Sequence, residues 1–284
     1  MNSRACRFVQ STSSLNADGI SLNEIEQLFC KVPEKIDLRD SLLLADLDAD
    51  YIMEKTARII ARGRVVKKYK LDADEAMCIS SYTLEVPAKN GKSPYRLLNE
   101  VLSGRRDERS LIKIRPLLVL LLRSLRKLPP VEKNVLYRGI ILDAKKDMVG
   151  DEAVFWGFTS ASTSLTVTSS FSSGSSGRLL VIEGPVKGYD IKDFSEFPSE
   201  EEVLLEPELF VEIYGKEKDK NVIQCRIKPS NSVLPNAAPF EECLKTKDPE
   251  IEEGLESPLK TKSSGFSLSK IFSKSPGGDK GEFK

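Results

Sequence analysis

An arginine inside an apolar run is the first residue of this sequence that could do chemistry. Arg138 follows Val135, Leu136 and Tyr137 and precedes Gly139. A buried guanidinium is costly unless its charge is paired, and its planar fork of donors can hold a pyrophosphate. The alternative is an arginine at a strand end that pairs with a carboxylate.

Two serines follow an aromatic segment further along the chain. Ser160 and Ser162 follow residues 155–158, which read Phe-Trp-Gly-Phe, with Thr159 between. On a strand, side chains two residues apart share one face. Their hydroxyls could therefore hydrogen-bond a polar ligand or orient a carboxylate. The alternative is a Ser/Thr-rich strand end that leads into the Ser-rich residues 169–176.

Three glutamates open the apolar segment 200–205. The period of a strand predicts that Glu200 and Glu202 point to one face and Glu201 to the other. Two carboxylates that lie close together raise the pKa of one of them, which suits acid–base chemistry. The alternative is a solvated run of charges.

The turn just before these glutamates carries two aromatic side chains, Phe194 and Phe197. Aromatic residues beside a pair of carboxylates could hold a substrate surface. They could equally form a hydrophobic plug beneath the turn, and the sequence leaves both possibilities open.

The composition excludes several kinds of chemistry. The chain has no histidine, which excludes Ser-His-Asp and Cys-His catalysis, histidine metal sites and a histidine base. Its five cysteines form no Cys-x-x-Cys pair, so neither a zinc site nor a disulfide framework is indicated. Lys plus Arg equals Asp plus Glu, at 43 each, which gives no electrostatic case for a nucleic-acid partner. We therefore expect no metal and no nucleic acid.

No targeting or membrane segment is visible. Residues 1–14 lack an apolar signal region, and the most apolar run, residues 117–122, is far shorter than the ~20 residues that span a bilayer. We expect a cytoplasmic or otherwise intracellular protein with no transmembrane segment.

The order of the predicted elements indicates an α+β fold. Capping boxes predict helices that begin after Ser21 and Asp72, with Glu24 and Glu75 as their partners. Apolar spacing predicts further helices over residues 50–66, 95–102 and 116–127. Short β-type runs predict strands at residues 135–142, 153–158, 178–183, 200–205, 209–214 and 222–228.

The ends of the chain differ from its middle in composition. Residues 1–17 are polar and Ser-rich, and residues 229–284 are dominated by Pro, Ser, Lys and Glu. Both are predicted to be disordered because they cannot bury enough apolar surface. Residues 18–228 are then the expected catalytic domain, with a core at 70–228.

Taken together, the order and spacing of these residues resemble the arginine–serine–glutamate (R-S-ExE) class of mono-ADP-ribosyltransferases, and within it the NAD:arginine ADP-ribosyltransferases. The similarity covers about residues 70–228, and upstream of Arg138 it includes residues 71–76, Tyr82-Thr83 and 95–99. The poly-ADP-ribose polymerase and diphtheria-toxin class uses a histidine in place of the strand arginine. A chain without histidine does not fit that class if it is active.

The resemblance implies a fold and a co-substrate. The fold would be two packed, mainly antiparallel sheets that form an NAD cleft, with helices on the N-terminal side. NAD would be the co-substrate, no metal would be needed, and a protein, most often through arginine, would be the acceptor. Its identity and the oligomeric state of the enzyme stay open.

The resemblance also assigns residues to NAD binding. Arg138, with the adjoining Gly139, would hold the NAD phosphates. Ser160 would support the nicotinamide end and position the central glutamate, with Ser162 as secondary support. The motif here reads Ser-Ala-Ser, with Ala161 in the middle. A second register two residues later also exists, and we prefer Ser160 because Phe158 then holds the aromatic position.

The two glutamates receive different roles from the resemblance. Glu202 would bond the nicotinamide ribose and stabilise its cationic transition state. Glu200 would meet the acceptor, and a glutamate at this position accompanies modification of arginine. Three alternatives remain: an NAD glycohydrolase on the same scaffold, a catalytically inactive NAD- or protein-binding module, and a scaffold protein that acts through its charged tail.

Overall fold

The N-terminal half of the chain is helical. The structure, a computed structural model, describes residues 19–103, 108–141, 152–166, 177–217 and 222–228. The segments 1–17 and 229–284 that were expected to be disordered lie outside the described residues. The helices are α1 Leu22–Gln27, α2 Leu38–Leu44, α3 Ala49–Gly63, α4 Val65–Tyr69, α5 Ala73–Tyr82, α6 Pro94–Ser103 and α7 Glu108–Arg126.

Two of the helix starts are fixed by the capping boxes that the sequence predicts. The Ser21 hydroxyl accepts a hydrogen bond from the backbone N–H of Glu24 at 3.2 Å, and the Glu24 carboxylate accepts one from the N–H of Ser21 at 3.0 Å. Asp72 and Glu75 make the same reciprocal pair at 2.8 and 2.9 Å. Both predictions are confirmed, because each box satisfies two backbone donors that a helix start leaves unpaired.

Helix α7 begins two turns earlier than predicted. Pro116 was expected in its first turn, but it lies inside the helix, which starts at Glu108. The apolar stripe continues upstream of the proline, since Ile114 is buried and Leu111 packs against the helical core. Burial of that stripe outweighs the one backbone hydrogen bond that proline cannot donate.

The C-terminal half forms a barrel-like sheet. The strands are β1 Pro130–Ile141, β2 Glu152–Phe155, β3 Thr159–Ser162, β4 Gly177–Asp190, β5 Glu202–Leu205, β6 Leu209–Glu217 and β7 Val222–Ile227. Their order is β1-β3-β5-β4-β7-β6-β2, and β1 also pairs with β4, so that β1, β3, β5 and β4 close into a ring. Only the β4–β7 pair is parallel among the described strands. The expected α+β class, with mainly antiparallel pairing and N-terminal helices, is confirmed.

Alternation along β3 and β5 divides their side chains between two cores. Ala161, Val203 and Leu205 belong to the core of the sheet, whereas Leu204 packs with the helices. Ser160 lies opposite Leu204 in the β3–β5 register and so shares its face. The side chains of Ser160 and Ser162, which alternate with Ala161, therefore point at the boundary between the sheet and the helical layer.

A network around Arg126 joins that helical layer to the sheet. The guanidinium at the end of α7 donates to both carboxylate oxygens of Glu206 at 3.0 and 2.8 Å, and to Glu26 of α1 at 2.9 Å. Tyr189 of β4 donates to the same Glu206 carboxylate at 2.9 Å.

No helix among the described residues is long and apolar enough to cross a membrane.

The bidentate geometry at Arg126 generates a stability prediction. Lysine cannot reproduce the planar fork of donors, so Arg126→Lys should lower the free energy of unfolding by ~1–2 kcal/mol. Urea denaturation followed by circular dichroism measures the change. The control is Arg58→Lys, because Arg58 forms an exposed pair with Glu54 within α3 and should change stability by less than ~0.5 kcal/mol. Equal losses in the two variants would contradict a special role for the Arg126 network.

Candidate active site

Three strands bring together three residues that are far apart in the sequence. Arg138 of β1 donates a hydrogen bond from Nη1 to the backbone carbonyl of Ser160 on β3. The Ser160 hydroxyl donates to Oε1 of Glu202 on β5 at 2.6 Å. All three side chains are buried, and Glu202 is fully inaccessible. A cation, a hydroxyl and a carboxylate are thus connected in one shielded site.

The guanidinium of Arg138 keeps its charge in this buried position. Burial lowers the pKa of Arg138 to about 10, against the attraction of the Tyr82 and Glu202 oxygens. The group is therefore protonated at neutral pH. Its Nε has no hydrogen-bond partner among the described residues, and an unpaired buried donor costs ~1–3 kcal/mol. A ligand oxygen placed there would remove that cost. Gly139 lies next to Arg138 on β1, opposite Leu179.

The Ser162 side chain hydrogen-bonds the backbone of Glu200 and not a carboxylate group. Its hydroxyl donates to the carbonyl oxygen of Glu200 at 2.8 Å and accepts from the N–H of Ser164 at 2.9 Å. Of the two serines, Ser160 is therefore the one bonded to Glu202. The register of the Ser-x-Ser motif stays a prediction.

Glu200 and Glu202 do not share one strand, so the expected geometry is wrong in this respect. Glu200 ends the 3-10 turn Pro198–Glu200, and β5 begins only at Glu202. Between them Glu201 adopts a left-handed conformation with φ of 47°. That turn buries Glu200 and Glu202 while Glu201 stays exposed, and the Thr163 hydroxyl donates to the Glu201 carboxylate at 2.6 Å.

The two aromatic residues of the preceding turn have different positions. Phe194 is fully buried in the helical core, where its ring lies 5.5 Å from that of Tyr69 at a tilt of 33°. It is the hydrophobic plug that one interpretation of the sequence expected. Phe197 is only partly buried and lies on the same segment as Glu200.

Asn99 of α6 is a residue of this site that the sequence interpretation did not single out. Its amide oxygen accepts from the N–H of Phe158 at 2.9 Å, and its amide nitrogen donates to the Phe158 carbonyl at 3.2 Å and to the Tyr82 hydroxyl at 3.1 Å. One side chain thus holds both backbone groups of the residue two positions before Ser160. The signal was present, because Asn99 is a polar residue within the apolar stripe of Tyr95, Leu98 and Leu102.

Two neighbours of Asn99 complete this contact. The Tyr82 ring packs edge-on against Phe158 at 5.5 Å, and burial raises the pKa of the Tyr82 hydroxyl, which stays protonated. At Gly157 a Cβ atom would lie 2.6 Å from the Asn99 amide oxygen. The close approach of helix and strand therefore requires glycine at this position.

The described residues contain no cluster of three or more Cys, Asp or Glu side chains that could hold a metal ion. The polar groups of the site are instead arranged around a carboxylate and a guanidinium. Such an arrangement can bind an anion and stabilise a developing positive charge at separate points.

Comparison with protein-family models matches residues 45–232 to the family of NAD:arginine ADP-ribosyltransferases. The match spans more than half of the chain and includes helices α3 to α7 and all seven described strands. No curated protein matches the chain.

The solved structures that match the chain include three ADP-ribosyltransferases. HopU1 of Pseudomonas syringae pv. tomato DC3000 is 18% identical with a TM-score of 0.47, covering 74% of this chain and 99% of that chain. The Vis toxin of Vibrio splendidus is 20% identical with a TM-score of 0.46, covering 72% and 92%. The eukaryotic mono-ADP-ribosyltransferase ART2.2 is 18% identical with a TM-score of 0.46, covering 76% and 91%.

The contacts of Asn99 generate a prediction about the assembly of the site. Asn99→Ala would leave the buried N–H and carbonyl of Phe158 unpaired, so the free energy of unfolding should fall by ~2–4 kcal/mol. Urea denaturation followed by the fluorescence of Trp156, the sole tryptophan, measures the loss close to the site. Asn90→Ala is the matched control, since Asn90 donates one hydrogen bond, to Asp48, and its loss should cost ~1 kcal/mol. Similar losses for the two variants would refute the bridging role.

Proposed function

Because the chain belongs to the NAD:arginine ADP-ribosyltransferase family, we propose that it transfers ADP-ribose from NAD to an arginine side chain of a protein and releases nicotinamide. Membership gives the class, an NAD-dependent ADP-ribosyltransferase. The observation that carries the finer proposal is the buried chain of hydrogen bonds from Arg138 through Ser160 to Glu202.

Arg138 suits the phosphate end of NAD. Nη1 of its guanidinium donates a hydrogen bond to the Ser160 carbonyl. Its buried Nε has no hydrogen-bond partner among the described residues. A phosphate oxygen would pair both the unused donor and the charge. Gly139 adjoins it without a side chain, so that a ligand can approach the strand closely there.

Glu202 suits the ribose end. NAD carries its own leaving group, and breaking the bond between nicotinamide and ribose places positive charge on the ribose. Glu202 is shielded from water, so its negative charge acts more strongly than it would in solvent. The hydroxyl of Ser160 fixes the carboxylate at 2.6 Å, which removes the need to reorient it during the reaction.

Glu200 suits the acceptor. A carboxylate attracts a guanidinium and can accept its proton as the nitrogen attacks the ribose. The backbone carbonyl of Glu200 is held by the Ser162 hydroxyl, and only one residue separates it from Glu202. The two glutamates can therefore act on the two reaction partners side by side.

The role of Glu202 is tested by removing its charge. Glu202→Gln keeps the shape of the side chain but loses the negative charge, so turnover of NAD should fall by about a hundredfold or more. Labelled NAD and agmatine, a small guanidine acceptor, report transfer, and released nicotinamide reports total turnover. Glu201→Gln is the control at the adjacent, exposed position and should keep both rates within about twofold. Full activity of Glu202→Gln would contradict the role assigned to the Glu202 carboxylate.

The role of Glu200 is tested by separating transfer from hydrolysis. Glu200→Gln should reduce labelling of agmatine by about a hundredfold and leave hydrolysis of NAD nearly unchanged, because water needs no guanidinium site. An equal fall in both rates would show that Glu200 does not act on the acceptor. Wild-type protein that releases ADP-ribose without labelling any arginine would be an NAD glycohydrolase. Protein that binds NAD without turnover would be an inactive binding module.

A further inference from the structure

The segment 192–201, which leads into β5 at Glu202, carries Glu200 and is attached to the helices where it begins. Oδ2 of Asp193 accepts hydrogen bonds from Nζ of Lys68 at 2.6 Å and from the hydroxyl of Tyr69 at 3.0 Å. Lys68 and Tyr69 are consecutive residues of α4. One carboxylate thus ties the segment to two neighbouring side chains of a single short helix.

Further contacts hold the middle and the end of the segment. Phe194 is inserted into the helical core beside Tyr69. The N–H of Glu196 donates to the Thr83 hydroxyl at 3.3 Å, and the carbonyl of Glu200 accepts from Ser162. The segment therefore takes its position from α4, α5 and β3 rather than from β5 alone.

Helix α4 is oriented to make the first of these contacts. It is bounded by Arg64 and Lys70, which both adopt left-handed conformations with φ of 52° and 56°, so α4 departs from the direction of α3. Val65, at its start, is fully buried. Its anchored start and its sharp turns place Lys68 and Tyr69 against Asp193.

We propose that Asp193 is a positioning residue for Glu200: its contacts with Lys68 and Tyr69 fix the 192–201 segment so that Glu200 meets the arginine acceptor. This inference rests on the proposed function. The hydrogen bond from Lys68 lowers the pKa of the Asp193 carboxyl, so the contact is ionic at neutral pH.

The ion pair between Lys68 and Asp193 positions the 192–201 segment more than it stabilises the fold. The Lys68 side chain is 56% exposed and that of Asp193 is 30% exposed, and ion pairs with this exposure stabilise a fold only weakly. A small misplacement of a group that meets a substrate nevertheless lowers a rate by up to about a hundredfold. Loss of the contact should therefore change the partition between transfer and hydrolysis while the protein stays folded.

The test compares two aspartates of the same region in the full-length chain. Asp193→Asn removes the charge that binds α4, whereas Asp190→Asn removes a charge whose ion pair among the described residues is with Lys192, two residues away. With NAD and agmatine, Asp193→Asn should lower transfer about tenfold and leave hydrolysis within about twofold. Asp190→Asn should leave the ratio of transfer to hydrolysis unchanged.

Reversal of the pair gives a rescue. Lys68→Glu should lower the ratio as Asp193→Asn does, and the double variant Lys68→Glu with Asp193→Lys should recover part of it, because the ion pair is restored with opposite polarity. A merely structural role would lower transfer and hydrolysis by the same factor in every variant. That outcome, or an unchanged ratio in Asp193→Asn, would overturn the proposal.

Hydrogen exchange gives a readout that does not depend on activity. The backbone amide of Phe194 donates to the carbonyl of Ile191 just before the segment, that of Glu200 to the carbonyl of Phe197, and that of Glu196 to the Thr83 hydroxyl. Their exchange should accelerate in Asp193→Asn and not in Asp190→Asn. Equal exchange in both variants would refute the proposal that the contact of Asp193 with α4 fixes the segment. If the wild type neither transfers nor hydrolyses, the proposed function fails, and exchange still decides whether Asp193 fixes the segment.

Discussion

The hydrogen bond between Ser160 and Glu202 is the interaction on which the rest of the site depends. A carboxylate with no exposure to water is unfavourable unless it is paired and held, and the Ser160 hydroxyl holds it at 2.6 Å. The same residue anchors Arg138 through its backbone carbonyl. One residue of a four-residue strand therefore sets the distance between the positive and the negative group of the site.

The helical layer serves this strand by fixing its backbone. Asn99 pairs both the N–H and the carbonyl of Phe158, and Tyr82 packs against the Phe158 ring. Because Phe158 lies two residues before Ser160, a shift of α6 would move the serine. The helices also receive Phe194 as a plug, which links them to the segment that carries Glu200. The helical layer thus constrains both the strand that carries Ser160 and the segment that carries Glu200.

Parts of this arrangement could be predicted from local sequence, and others could not. The capping boxes at Ser21 and Asp72 were predicted correctly because they depend on residues three apart. The start of α7 was not, because the packing of Leu111 and Ile114 outweighs the local signal of Pro116. β3 was not among the predicted strands, since four residues of small hydroxyl and alanine side chains have no distinctive β pattern. The roles that family resemblance gives to Arg138, Ser160 and Glu202 stay predictions.

The sequence by itself determined the class of fold, the succession of helices followed by strands, and the identities of the groups that could do chemistry. These follow from the spacing of apolar residues, from caps and from the absence of histidine, all of which are local or compositional properties. Only the tertiary structure decided that Ser160 rather than Ser162 contacts Glu202, that Glu200 lies on a turn instead of the strand, and that Asn99 joins the site. Each depends on how strands distant in sequence align and on which helix packs against them, and the closure of the β1, β3, β5 and β4 ring sets that register.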